Sequence, residues 1–260
     1  MTSFNIENAT AFVTGTNKKN GIGRAIVDAL LANGVKKVYA TARDTTQLQE
    51  LVETSNGKVV PVSLDVTDLE SIKSLGKTYP DVNLVINNAG YFAGTSDDVD
   101  AAAKEIAINY IAPLAIVKSF KDTFENNNIV VESSEKKKSS AVVNIASIAS
   151  LVNFPLGSTY SASKAASHSL TQGQRRDMPD TLVVGVYPGP IDTDMAPDDL
   201  PFDTTPPSAV ADAVLSALAD GNEDVFPDMM AKQLFAGWKT DFKAVEKQMA
   251  QPPQAATVAA

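Results

Sequence analysis

Thr10-Ala11-Phe12-Val13-Thr14-Gly15-Thr16-Asn17-Lys18-Lys19-Asn20-Gly21-Ile22-Gly23 is the stretch from which the fold can be read. Its first five residues are a short apolar run of the kind that makes a buried strand. Ile26, Val27, Leu30 and Leu31 then recur at helical spacing, and Gly34 is placed to end that helix. Strand, glycine loop and helix follow one another directly. Gly15, Gly21 and Gly23, with Asn20 and Ile22 between them, would let the backbone approach a pyrophosphate whose charge the helix N-terminus stabilises. The same loop could equally be a tight turn.

Outward from this unit the chain keeps alternating. Apolar runs at 37–42, 59–66, 82–86, 141–146 and 182–187 read as strands, and Val225-Phe226 as a last short one. Helical patterns occupy 45–54, 97–126, the segment ending near Met178, 209–218 and 228–249, with Pro207 near the start of the fourth and Gly221 past its end. Pro113 is expected to kink the second. Thr67-Asp68-Leu69-Glu70 has the spacing of a capping box, so Thr67 is expected to start a helix. This alternation is an α/β pattern. With 260 residues, 44% of them hydrophobic, one large core and a single domain over 1–260 are expected, 251–260 being a tail. The polar stretch 126–140 reads as a solvated loop without assigned function.

Composition narrows the function. A net charge of −9 opposes binding to nucleic acid or to an anionic membrane. No cysteine is present, so disulfides and thiolate chemistry are excluded. The one histidine, His168, rules out a multi-His metal site. A Ser-His-Asp triad would have to use it, the plainer alternative being a packed helical histidine. Asp192, Asp194, Asp198 and Asp199 suggest either a metal or ordinary loop capping, and with no further ligand set no metal is assigned. No apolar run reaches eighteen residues and no basic-then-apolar leader opens the chain, so a soluble, cytoplasmic protein is expected.

Chemistry concentrates in Ser147-Ile148-Ala149-Ser150-Leu151-Val152-Asn153-Phe154-Pro155-Leu156-Gly157-Ser158-Thr159-Tyr160-Ser161-Ala162-Ser163-Lys164. Tyr160 and Lys164, four apart in an Ala/Ser-rich helix, are neighbours on one face. A phenol is a weak acid near neutrality, and an adjacent ammonium is expected to stabilise the phenolate and make tyrosine a usable proton shuttle. Ser147, at the end of an apolar strand, could bring its hydroxyl to the same place. The pair alone also fits an ordinary solvated helix. Asn109, on an otherwise apolar helix face, needs partners and would bond either to backbone or to a functional water.

Other strand ends carry matching signals. The strand at 37–42 closes on Arg43 rather than on an acid. In a dinucleotide fold that point faces the adenosine ribose, where arginine suits a 2′-phosphate and a carboxylate a 2′-hydroxyl, so NADP(H) is expected ahead of NAD(H), unless Arg43 is a plain loop arginine. Lys18, Lys19 and Arg24 add local positive charge. Asp65 and Val66 sit where a base could be contacted, and Asn88-Ala89-Gly90 forms a turn suited to lying beside a cofactor. In Pro188-Gly189-Pro190-Ile191-Asp192-Thr193, Thr193 and its neighbours could meet a carboxamide or simply turn. Residues 194–207 read as a segment over a pocket.

Together these residues resemble the short-chain dehydrogenase/reductase family over about residues 9–228. The matching motifs are the TG…GIG loop at Thr14 to Gly23, the NNAG turn at Asn87 to Gly90, Asn109, Ser147, the YxxxK pair Tyr160 and Lys164, and PGxxxT at Pro188 to Thr193. One departure stands out. Five residues, Thr16 to Asn20, separate Gly15 from the next glycine, where the family has three. The resemblance implies a single-domain Rossmann fold, a doubly wound parallel sheet of about seven strands, with the cofactor across their carboxyl ends. It implies Tyr160 as acid/base, Lys164 lowering its pKa and binding the nicotinamide ribose, Ser147 holding the substrate oxygen and Asn109 ordering a relay water. It also implies a homo-oligomer, dimer or tetramer.

The expected activity is NADP(H)-dependent interconversion of a carbonyl, ketone or aldehyde, and an alcohol. Loop positions suggest Tyr91, Phe92, Phe154, Tyr187, Met195 and Phe202 as pocket residues around Ser147 and Tyr160, which points to a moderately apolar small molecule. The alternatives are a catalytically silent NADP(H)-sensing regulator of the same fold and a non-redox lyase or scaffold.

Overall fold

The computed structural model describes residues 3–7, 9–129, 137–155, 157–196 and 203–250. Its strands, in chain order, are β1 (Ser3–Phe4), β2 (Thr10–Val13), β3 (Lys37–Ala42), β4 (Val59–Ser63), β5 (Leu84–Asn87), β6 (Lys137–Lys138), β7 (Ser140–Ile145), β8 (Thr181–Val186) and β9 (Asp224–Val225). The helices are α1 (Ile22–Ala32), α2 (Gln49–Thr54), α3 (Leu69–Lys73), α4 (Leu75–Thr78), α5 (Val99–Ile106), α6 (Ala112–Ile129), α7 (Ser158–Asp177), α8 (Pro207–Asp220) and α9 (Met229–Met249). Seven of the strands make one parallel sheet in the order β4-β3-β2-β5-β7-β8-β9. This is the doubly wound arrangement. The chain builds outward from β2 on one side, then returns to add β5 on the other.

The strands are buried on both faces, which is why they appear as near-continuous apolar runs rather than alternating ones. Every residue of β7 and of β8 is buried. Successive side chains still point to opposite layers. Ala11 and Val13 of β2, Leu84 and Ile86 of β5, and Val184 and Val186 of β8 join the layer with α1 and α8. Phe12, Val85, Val142 and Val183 face the other layer, under α3, α4 and α6. There Phe12 is fully buried, with the Tyr79 and Phe120 rings at 5.6 and 5.3 Å.

Several boundaries differ from the sequence expectation. Asp68, not Thr67, caps α3, its Oδ1 accepting from the N–H groups of Glu70 and Ser71, while the Thr67 hydroxyl donates to Asp65 Oδ1 at 2.7 Å. The adjacent acid takes the cap because its two oxygens can also accept from the Ser71 hydroxyl. The long helix expected over 97–126 is capped by Asp98 and divided by a π-helical stretch, Ala107–Ile111, between α5 and α6. Such a stretch accommodates Pro113, which has no N–H to give to the carbonyl of Asn109 four residues earlier. The stretch 126–140 is not all loop: α6 continues to Ile129, and β6 pairs in parallel with β1. Residues 130–136 and 251–260 lie outside the described residues, as do Asp198, Asp199, Leu200 and Phe202.

Candidate active site

Gly15, Arg43, Asn88, Ser147 and Pro188 each fall within two residues of the carboxyl end of β2, β3, β5, β7 and β8, so parallel register alone places them on one edge of the sheet. Between these ends lies a cleft of about 640 Å³. Its lining includes Gly15, Gly21, Ile22, Gly23, Arg43, Asp65, Val66, Asn88, Ala89, Gly90, Tyr91, Phe92, Ser147, Phe154, Tyr160, Lys164, Pro188, Gly189, Ile191, Thr193 and Met195. Those residues were all expected at one site, and the fold brings them together.

The glycine loop is held from below. Thr14 Oγ1 accepts from the N–H groups of Asn88 and Ala89, and Asn88 Nδ2 donates to the carbonyls of Thr14 and Gly15 at 2.8 and 2.9 Å. Asn88 thus braces the cradle with its side chain. Gly15 has φ +70°, and a Cβ there would come within 2.8 Å of Ala89 Cα; a Cβ on Gly23 would meet Asn88 Nδ2 at 2.3 Å and the Gly15 carbonyl at 2.5 Å. Glycine is required at both. The extra length of the loop reaches over the cleft. Asn20 does not line it; Asn20 Nδ2 donates to the Asp192 carbonyl at 3.0 Å. Lys18, which does line it, pairs with Asp194 at 3.1 Å, and Lys19 pairs with Glu50. Asn17 also lines the cleft and donates to Gln47.

At the end of β3 Arg43 is exposed to the cleft, whereas Asp44 beside it is turned away to cap the following 3-10 turn, Thr45–Leu48, accepting from Thr46. The Asp65 carboxyl is held below the usual range by hydrogen bonds from Thr67.

Tyr160 and Lys164 share one face of α7. Phe92 packs edge-on to Tyr160, with ring centroids 5.1 Å apart and planes at 81°. Ser147, whose hydroxyl caps the short turn Ile148–Ser150, stands beside the phenol and favours its ionised form. Burial nevertheless dominates and pushes Tyr160 up to about 12. Lys164 Nζ is 5.6 Å from the centroid of the Tyr160 ring and donates to the Ile145 carbonyl at 2.8 Å. Only 5% exposed, it is itself pushed down to about 8 by burial. The expected lowering of the tyrosine by its lysine neighbour is therefore reversed. Loss of solvent is the largest cause acting on both groups.

One further expectation is corrected. Tyr187 does not line the cleft. It is buried in the core, its hydroxyl 2.8 Å from His168 Nδ1 and its ring stacked on Phe226 at 5.2 Å. His168 is accordingly a packed helical histidine. Asn109 is 2% exposed, and its amide is fully engaged: Oδ1 accepts from the Tyr91 N–H at 2.9 Å, and Nδ2 donates to the Tyr91 carbonyl and to Ser163 Oγ, both at 2.8 Å. The backbone bonding expected of it is present.

A model of the short chain dehydrogenase family matches residues 9–202. The chain belongs to the short-chain dehydrogenase family. An uncharacterised oxidoreductase of Staphylococcus saprophyticus is 32% identical over 206 residues, 74% of this chain and 82% of that protein. An NADP-dependent 3-hydroxy acid dehydrogenase of Schizosaccharomyces pombe is 26% identical over 205 residues, 74% of each. Among solved structures, a short chain dehydrogenase from Burkholderia cenocepacia in complex with NADP superposes with a TM-score of 0.84 at 32% identity, covering 97% of this chain and all of that one. The protein is thus an oxidoreductase.

The sequence did not single out Asp228. It is 6% exposed; Oδ2 accepts from the Gly189 N–H at 2.7 Å while Oδ1 caps α9 through the Ala231 N–H at 2.8 Å, so one carboxylate fixes the Pro188-Gly189-Pro190 turn to a helix start. Its position just ahead of an amphipathic helix was the available signal. Glu105, fully buried one turn before Asn109, was also passed over.

Proposed function

We propose that this oxidoreductase uses NADP(H) to interconvert a small, moderately apolar ketone or aldehyde and the corresponding alcohol, with Tyr160 as the acid/base. The observation that carries the proposal is the convergence of Tyr160, Ser147 and Lys164 on the same cleft as the glycine cradle. Four features support the cofactor: the closeness permitted only by Gly15 and Gly23, the cationic Arg43 at the ribose position, an adjacent acid occupied with capping, and the NADP-related proteins above. Bound in the cleft, the nicotinamide would supply or accept the hydride.

The chain's own residues would do the rest. The Ser147 hydroxyl would hold the carbonyl oxygen, and Tyr160 would give that oxygen its proton as the carbon is reduced. A phenol kept near 12 is protonated at neutral pH, yet is a stronger acid than the alcohol being formed. Donation is therefore downhill, and the phenolate forms beside Lys164. Tyr91, Phe92, Phe154 and Met195 would exclude water from the reacting carbon. NADPH consumption measured over a panel of ketones and aldehydes tests this. Steady turnover with NADPH preferred to NADH is expected; tight NADPH binding without turnover on any carbonyl would favour a sensor instead.

A further inference from the structure

Glu105 is a fully buried carboxylate on α5 that the chemistry above leaves unused. Oε1 accepts from the Ala93 N–H at 2.8 Å, and Oε2 has no hydrogen-bond partner. One turn later on the same helical run, Asn109 binds both main-chain groups of Tyr91. Residues 105 and 109 thus strap the 91–93 turn at two points. Between those points lies Phe92, the residue set edge-on against Tyr160. Phe92 also rests directly on the N-terminus of α7, where a Cβ on Gly157 would approach Phe92 Cε2 to 2.5 Å. The strap therefore bears on the tyrosine through the Phe92 ring.

Charge acts in the same place. Ser147 from the turn after β7 and Lys164 from its own helix stand beside the phenol, and the charge of Glu105 on α5 is felt there; Lys104, next to Glu105, lies instead over the Tyr91 ring at 4.1 Å. Glu105 contributes negative charge there, which disfavours phenolate.

We propose that Glu105 is a positioning residue for proton transfer: its carboxylate holds the 91–93 turn that seats Phe92 on Tyr160. The proposal rests on the reading of Tyr160 as proton donor and acceptor, but its test includes a readout that does not depend on turnover.

Ring-labelled tyrosine NMR of the cofactor-free protein, with the Tyr160 signal identified by its absence in Tyr160→Phe, follows ionisation of this one phenol. Glu105→Gln keeps an oxygen for the Ala93 N–H and removes the charge. The Tyr160 midpoint should fall, because the negative charge that opposes phenolate is gone. Glu105→Asp keeps the charge and shortens the strap. It should leave the midpoint nearer to wild type, while the Phe92 ring signals broaden or shift and the KM for a carbonyl found in the panel rises. Unperturbed Phe92 signals in Glu105→Asp, or a KM equal to that of wild type, would overturn the proposal. Retained turnover in Tyr160→Phe would instead defeat the reading beneath it. NADPH binding by each variant reports that the fold is intact.

Discussion

Lys164→Met separates what this side chain costs the fold from what it does in the site. Burial takes the ammonium out of water, and one carbonyl at 2.8 Å returns only part of the lost solvation, so the group falls from 10.5 to about 8. That drop corresponds to about 3 kcal/mol of destabilisation wherever folded and unfolded chains are both protonated. Below about 8 both are, and the destabilisation is complete. Between about 8 and 10.5 the folded chain has released the proton and the unfolded chain still holds it, so stability rises with pH; above 10.5 the effect is gone. Methionine keeps the stem and removes the charge, but leaves the Ile145 carbonyl without its donor, a loss of about 1–2 kcal/mol. The net expectation near neutrality is a variant about 1–2 kcal/mol more stable, a few degrees in Tm, and inactive. Urea unfolding of both proteins, followed by Trp238 fluorescence from neutral pH to about 10.5, measures it. The stability of wild type relative to variant should climb by about 3 kcal/mol across that window. Parallel stability curves would refute the assignment of a buried, destabilised ammonium.

Arg43→Asp should lower kcat/KM for NADPH by about ten- to a hundredfold and improve use of NADH, because a carboxylate repels a 2′-phosphate and accepts from a 2′-hydroxyl; an unchanged ratio in paired assays would show that another group reads the phosphate. Asp228→Ala removes the acceptor shared by Gly189 and Ala231. It should cost about 1–2 kcal/mol as a lost cap and weaken NADPH binding by freeing the turn after β8, so thermal melting and fluorescence titration should both move.

The fold was legible because its signals are local. β7 and β8 are uninterrupted apolar segments, and the glycine cradle lies between one strand and one helix of a single unit. The meeting of Gly15, Arg43, Asn88, Ser147 and Pro188 follows from parallel register, since every such strand ends on the same edge. What escaped depends on partners far away in sequence. Asp228 is 39 residues from the Gly189 it holds, and Asn20 is 172 from Asp192. Tyr187 follows a strand and looked like a cleft residue, but His168 on α7 gives its hydroxyl a partner inside. Thr67 and Asp68 were adjacent candidates for one cap, and spacing could not rank them. The Tyr160–Lys164 pair was recognised by spacing, yet spacing carries no information about how much water the folded chain excludes, and that exclusion sets both acidities.

Tyr160→Phe removes one hydroxyl and keeps the ring against Phe92. With the best carbonyl substrate from the panel, NADPH oxidation should fall by about a hundred- to ten-thousandfold, while NADPH affinity stays within about twofold of wild type. A variant that binds NADPH normally and still turns over within about tenfold of wild type would show that the proton comes from elsewhere.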